Sequence, residues 1–456
     1  MTEGVHYRFG PRDRRGLVAG QRTGQLVVLG VALLVAVLLV RSEHPLAFVG
    51  AMALVLAAAG VVWLPVGGRS IQEWAPVATR FLLRRRRGDE RPFGRRGPAG
   101  ERVVDASVAG RCFGVVLDRA HGTASAALSF GEVPFVLLDE AARSQRVGAW
   151  CAVLAALAER AGVVHRVQWI ERVHPALGAP GLAPTPTTPI GRDALADARA
   201  SYAALVRAER SANTHELILV VSIRAPRVAC GLSAERAGLL GEELDALAER
   251  CRVAGLAPTG PLPADALARL VRRFGEARPN DRFGATAPWP TIGERRWDRV
   301  RAGGLWHASY WVAEWPRQEV GSDFLAPLLL SGTERRTISL VMAPVPALAA
   351  QRAAEQARTS RVADAELKRR HGFAVSARAH REDEAVTRRE VELAAGHAGY
   401  RFSGYLTVSA ETPAELVSAC SRLEQLSAMA RLDLRRLDGE HDEAVATALP
   451  LGWGCA

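Results

Sequence analysis

Two uncharged apolar stretches near the start of the chain constrain its folding more than any other feature. Gly24 to Val40 runs 17 residues and Pro45 to Val66 runs 22 without a charged side chain. As helices they would extend about 25 and 33 Å, against roughly 30 Å of bilayer hydrocarbon. Only Arg41, Ser42, Glu43 and His44 lie between them, which leaves room for a tight helical hairpin and little else. Arginines crowd both flanks: Arg8, Arg12, Arg14, Arg15 and Arg22 before the pair, Arg69, Arg80 and Arg84 to Arg87 after it. By the positive-inside rule this predicts a transmembrane hairpin in the cytoplasmic membrane. The topology would be multi-pass, with both termini and the main body cytoplasmic. A signal peptide fits less well, because no small-x-small cleavage site follows Val40 and a second apolar stretch comes at once.

The charge distribution agrees. The net charge is +11, and residues 1–102 hold 16 Arg against 7 acidic residues, while the rest is nearly balanced. A nucleic-acid domain would carry its excess on the folded body. After the hairpin, Ile71, Trp74, Val77, Ala78, Phe81 and Leu82 share one helical face. This reads as an interfacial helix, with Trp74 at headgroup depth and Arg80, Arg84, Arg85, Arg86 and Arg87 on anionic lipid. The plain alternative is a linker helix. The expected organisation is a basic N-terminus (1–23), the hairpin (24–66), the interfacial helix with an Arg-rich tether (67–102), and two cytosolic domains (103–285 and 286–456).

From about residue 103 strands and helices alternate. Phe113 to Leu117 and Ala124 to Leu128 read as a hairpin around His121-Gly122, and Phe135 to Leu138 as a strand. Ala141 to Arg160 is amphipathic, and His165 to Glu171 alternates as a half-buried strand does. Leu217 to Ile223 is the strongest strand, followed by a helix capped by Ser233. Tyr400 to Ser409 is another, followed by Thr412-Pro413-Ala414-Glu415, a capping box with proline at the first helical position. The strand-then-helix order thus starts near His215 and again near Tyr400, which would make two related subdomains. The expected fold class is a membrane α-helical hairpin followed by a cytosolic α/β (α+β) body, with mixed sheets covered by helices.

Chemistry-bearing motifs are absent. Six cysteines stand far apart with no C-x-x-C pair. Lys368 is the only lysine and sits in Leu367-Lys368-Arg369-Arg370, so no Walker A loop exists. No G-x-S-x-G, H-E-x-x-H or G-x-G-x-x-G after a strand occurs. His441-Asp442-Glu443 and Arg381-Glu382-Asp383-Glu384 read as solvated charge on helices. No catalytic residue, metal or cofactor is therefore expected. Trp289 to Trp315 holds five of ten tryptophans among arginines. Trp297, Arg299, Trp306 and Trp311 there are candidates for a nucleic-acid or partner surface, since aromatics with Arg stack single-stranded bases. The alternative is a β-hairpin whose aromatics pack on the sheet.

Tyr7-Arg8-Phe9 with Arg12 to Gly16, the apolar pair, and Pro65-Val66-Gly67-Gly68-Arg69-Ser70 through Glu73-Trp74 resemble an actinobacterial family of PrgI-like membrane proteins of conjugation and type IV secretion clusters. The body is similar to the non-catalytic N-terminal half of type IV secretion ATPases. That likeness rests on Phe135 to Leu138 before the Trp150-bearing helix, His215 to Ser222 before Leu240 to Arg252, and Tyr400 to Ser409 with Thr412 to Leu423. In those ATPases a segment similar to Leu449-Pro450-Leu451-Gly452 leads into the motor domain. The resemblance implies a non-catalytic inner-membrane scaffold subunit. Its partners would be a separate type IV secretion ATPase, a polytopic membrane channel protein, anionic lipid and copies of itself, with nucleic acid left open. The alternatives are a type VII secretion membrane component and a membrane-tethered enzyme acting on a lipid-linked substrate.

Overall fold

The structure is a computed structural model. It describes residues 23–41, 47–63, 65–66, 69–86, 91–92, 102–108, 110–119, 121–131, 135–175, 201, 213–225, 231–277, 290–370, 377–394 and 397–454. The chain divides into two compact units, Pro11–Asp89 and Glu90–Ala456 with Met1–Gly10.

In the smaller unit α1 (Thr23–Val40) and α2 (Ala47–Trp63) pack through Ala32, Ala36, Ala51, Ala58 and Val62. Small side chains at such a seam let two helices approach closely. A two-stranded ladder, β1 (Pro65–Val66) with β2 (Arg69–Ser70), leads into α3 (Ile71–Arg86). The predicted transmembrane hairpin is corrected here. Among the described residues no helix is long and apolar enough to cross a membrane. In the second stretch α2 has 17 residues, and Pro65 and Val66 belong to β1. At 1.5 Å per residue α2 spans about 26 Å. The first gains length only by taking in Thr23. The multi-pass localisation, and the cytoplasmic placement of both termini that rested on it, are overturned with the hairpin.

The larger unit holds β3 (Arg91–Pro92), β4 (Arg102–Val108), β5 (Arg111–Asp118) and β6 (Thr123–Phe130). Then come α4 (Glu140–Glu159), β7 (Val164–Pro175), β8 (Asn213–Arg224), α5 (Ala234–Val253), β9 (Pro258–Pro261) and α6 (Ala264–Arg273). The second half has β10 (Thr291–Arg295), β11 (Val300–Ala302), β12 (Leu305–Glu314), α7 (Ala326–Leu330) and β13 (Arg335–Val345). It continues through α8 (Ala347–Arg370), α9 (Ala377–Ala394), β14 (Gly399–Ala410), α10 (Pro413–Met429), β15 (Asp433–Arg436) and α11 (His441–Ala444). Phe135–Leu137, expected as a strand, is a 3-10 turn. It is cut short by Asp139, whose Oδ1 accepts from the Ala142 N–H at 2.7 Å and caps α4.

The mixed-sheet expectation is also corrected. One 13-stranded sheet runs in the order β3-β10-β11-β12-β14-β13-β7-β8-β6-β5-β4, with β15 on β12 and β9 on β6. Every pair among its described strands is antiparallel. The two halves therefore have no sheets of their own. The boundary expected between residues 285 and 286 lies outside the described residues.

The halves repeat one plan. In the first, β6, α4, β7, β8, α5 and β9 form a split β-α-β-β-α-β unit with strand order β9-β6-β8-β7. In the second, β12, α7, β13, β14, α10 and β15 form the same unit in the order β15-β12-β14-β13. Registers match position by position. Ser125 faces Ser222 where His307 faces Ser409, and Leu128 faces Pro261 where Tyr310 faces Arg436. Buried Leu240, Leu244, Leu247 and Cys251 of α5 correspond to Leu416, Cys420, Leu423 and Ser427 of α10. β7 and β13 pair antiparallel at the centre, with Ile170 opposite Ser339. The insertion between β13 and β14 is the α8–α9 helical hairpin, tied by Arg358 to Glu390 at 2.9 Å. Between β7 and β8, residues 176–200 and 202–212, which include Pro180 to Pro189, lie outside the described residues.

Both helices also end alike. After α5 the turn is made by Gly255 at φ +75°, and after α10 by Arg431 at φ +58°. The left-handed region suits glycine and strains other residues by about 1–2 kcal/mol. Part of that gain would return as extra freedom of the unfolded chain. Arg431→Gly is expected to stabilise the protein by about 0.5–1 kcal/mol, read as a higher urea midpoint with an unchanged slope.

Side-chain alternation builds two cores from one sheet. Leu219, Val221 and Ile223 of β8 face α4 and α5, while Ile218 and Val220 face α6 and the C-terminal segment. In the second half Trp306, Ala308, Tyr310 and Val312 face α10.

Candidate functional site: a C-terminal strap over a polar sheet face

After α11 the chain turns through Val445–Ala448 and runs back over the first half of the sheet. Val445, Leu449 and Leu451 are buried there against Ile170, Ile218, Val220 and α6. This strap covers a row of buried polar side chains. Gln168, fully buried on β7, sits at the centre. Its Nε2 donates to Thr447 O (2.8 Å), Leu449 O (3.1 Å) and Ser339 Oγ (3.0 Å). Its Oε1 accepts from the Gly452 N–H at 2.8 Å. One side chain thus satisfies three main-chain groups of the strap, as a neighbouring strand would.

The strap's end is fixed from both halves. Arg166 Nη1 donates to Gly452 O at 3.0 Å. Gly452 lies at φ +65° with Ser222 Oγ where a Cβ would sit, and Gly454 is packed on Tyr405 and Val341. Trp453 Nε1 donates to Asp118 Oδ2 at 2.7 Å, and its ring meets His121 edge-on at 4.8 Å. Asp118 is buried and also holds His121 Nδ1 at 2.6 Å.

Further along the same face, His307 Nδ1 lies 2.8 Å from Ser409 Oγ. A base beside a hydroxyl is the first requirement of nucleophilic catalysis, but the surroundings here are those of a core. His307 is fully buried, stacked on Phe274 at 4.5 Å, and its Nε2 meets the Ala302 carbonyl at 3.3 Å. Burial pushes its pKa down to about 4, partly opposed by the Ala302 bond. The ring is therefore neutral, with Nε2–H donating to Ala302 and Nδ1 accepting from Ser409. Ser125 with Ser222 (2.7 Å) and Ser309 with Thr407 (2.9 Å) complete the band. Among the described residues no three His, Cys, Asp or Glu side chains converge as a metal site.

The predicted surface residues fall in different places. On α3, Trp74 and Arg84 are half-buried, Arg80, Arg85 and Arg86 are exposed, and Arg87 lies outside the described residues. Val77 and Phe81 turn inward. The tryptophan-rich segment does not make one platform. Trp306 is buried in the α10-facing core beneath Arg299 (5.5 Å) and Arg301 (6.0 Å). Trp311, of opposite parity on the same strand, points to the other face with Arg435 over it at 4.5 Å. Trp297 is 38% exposed, and Arg299 also binds Asp298 at 2.7 Å. Gln168, His307 and the serine pair carried no local motif. They look like the polar positions of any half-buried strand.

Comparison with models of known protein families finds no match, and no curated protein matches the chain.

Proposed function

We propose that the chain is a non-catalytic scaffold subunit of a type IV secretion-like machine, docking a separate cytoplasmic P-loop ATPase to a polytopic channel protein. The observation that carries this reading is the strap. Leu449-Pro450-Leu451-Gly452, the segment similar to the lead into the motor domain of type IV secretion ATPases, is seated against the first half of the sheet and held by Gln168. A strap fixed at this place gives a partner motor a rigid reference point. The buried polar groups of this face bond one another and the strap, which suits a rigid platform. Membrane-spanning helices are no part of the reading.

The test is affinity capture of the tagged full-length chain from its native cells, read by mass spectrometry. A co-purifying ATPase with a Walker A loop, together with a polytopic membrane protein, is the expected result. Recovery of the chain alone, or with lipid-pathway enzymes, would overturn the proposal.

A further inference from the structure

In the smaller unit the two sides of α3 meet different surroundings. Val77 and Phe81 are buried and Trp74 is half-buried, so these side chains mark the inner side. At about 100° per residue Leu83 stands on the far side of the helix from Phe81, with Arg80 and Arg86 about 60° to either side of it. Leu82 lies beside them, and Leu82 and Leu83 are 53% and 50% exposed. Arg80, Arg85 and Arg86 are exposed as well. Most of the stripe expected to face lipid, from Trp74 through Phe81, is thus packed within the unit. The outward side carries two leucines among arginines.

These arginines have no acidic counterpart on their own helix. Glu73 is the only acidic residue of α3 and lies in its first turn. Among the described residues the side chains of Arg80, Arg85 and Arg86 have no ion-pair or hydrogen-bond partner. The same unit exposes apolar surface on the two helices before α3. Leu34 and Leu38 of α1 and Phe48 and Leu56 of α2 are each more than half open. Exposed apolar surface on this scale marks a place where the protein meets something other than water. The arginines decide what that is. A protein core closing over α3 would desolvate three unpaired guanidinium groups, which is strongly unfavourable. An anionic lipid surface neutralises them with its phosphates and accepts the leucines between its acyl chains.

We propose that the outward side of α3 is a docking surface for an anionic lipid surface. Leu82 and Leu83 enter at the boundary between headgroups and acyl chains. Arg80 and Arg86 lay their aliphatic stems beside the leucines and place their guanidinium groups on lipid phosphates, and Arg85 adds charge at the end of the helix. The contact is with the surface of one leaflet and needs no helix to cross the bilayer. It is independent of the docking role, whose strap belongs to the larger unit: either can fail without the other.

The experiment is flotation of the full chain with vesicles made of equal parts phosphatidylcholine and phosphatidylglycerol, against vesicles of phosphatidylcholine alone. Partition onto the anionic vesicles is expected to be at least tenfold stronger and to weaken in high salt. Arg80→Gln/Arg86→Gln should lower it at least tenfold. Leu82→Gln/Leu83→Gln should lower it as well, because charge alone does not hold the helix at the acyl boundary. All four side chains are exposed, so both variants should keep the parental circular dichroism and thermal melt. Arg296→Ser, which removes an exposed arginine paired with Glu294 in the larger unit, should leave partition unchanged. Equal partition onto neutral vesicles, or parental partition in either double variant, would overturn the proposal. So would displacement from the vesicles by glycerol 3-phosphate at the same phosphate concentration, which would assign the arginines to a soluble phosphate monoester. A chain that floats with neither vesicle and sediments as a dimer that Leu82→Gln/Leu83→Gln dissociates would give this side of α3 to a second copy instead.

Discussion

Gln168→Leu is expected to destabilise the protein by about 3 kcal/mol and to release the strap before the sheet melts. Leucine is close in volume, so little packing is lost. What is lost is the partner of three buried main-chain groups: the carbonyls of Thr447 and Leu449 and the Gly452 N–H. Each buried polar group left without a partner costs about 1–3 kcal/mol, and partial rehydration of a loosened strap limits the sum. Hydrogen exchange separates this from general weakening. Residues 445–454 should lose protection by two or more orders of magnitude, while the amides of the β7–β13 ladder keep theirs. Equal loss in both regions would show that Gln168 supports the core as a whole rather than the strap. Ser339→Ala, which removes only one acceptor of the same amide, should cost less than about 1 kcal/mol.

The second large effect is acid sensitivity. His307 has a folded-state pKa of about 4, below the ordinary value of 6.5. The unfolded state therefore binds the extra proton between these values, and stability falls as pH drops from about 6.5 toward 4. The contribution of this one group is about 3 kcal/mol over that window. His165, lowered to about 4 as well, acts in the same direction. Urea unfolding at pH 7.5, 6, 5 and 4 should show a progressive loss. In His307→Gln the slope of stability against pH should fall by about one proton's worth, roughly 1.4 kcal/mol per pH unit. A glutamine keeps a donor for Ala302 O and an acceptor for Ser409, so it isolates the titration from the hydrogen bonds. Stability that stays level down to pH 5 would contradict the buried neutral imidazole.

Local signals in the sequence were legible where short-range chemistry decides. The capping box is present in both directions, Thr412 Oγ1 accepting from Glu415 N and Glu415 Oε2 from Thr412 N. Ser233 caps α5, and Leu217 to Ile223 lies within β8. The strand-then-helix order near His215 and near Tyr400 is β8–α5 and β14–α10. Illegible were the relations set by distant residues. Nothing near β7 shows that it pairs with β13 across about 170 positions to make one sheet. Alternation in His165 to Glu171 predicts a second face in water, and that face is instead covered by residues 445–453. Hydropathy alone overstated the second N-terminal stretch, because it counted Pro65 and Val66, which belong to β1, as helix. The tryptophans looked like one cluster because spacing along the chain does not show which way each points. The period of two along β12 separates Trp306 from Trp311.

The pairing of β7 with β13 has an evolutionary consequence. The two strands are equivalent members of equivalent units, and they meet antiparallel around Ile170 and Ser339. A single unit standing alone would present that strand as a bare edge, and the same geometry would let it pair with the same strand of another molecule about a twofold axis. An ancestral half-length protein would thus have assembled as a homodimer before duplication joined its subunits. Fusion frees the halves from obeying symmetry. Only then could a glutamine on one side be recruited to hold a tail that grows from the other.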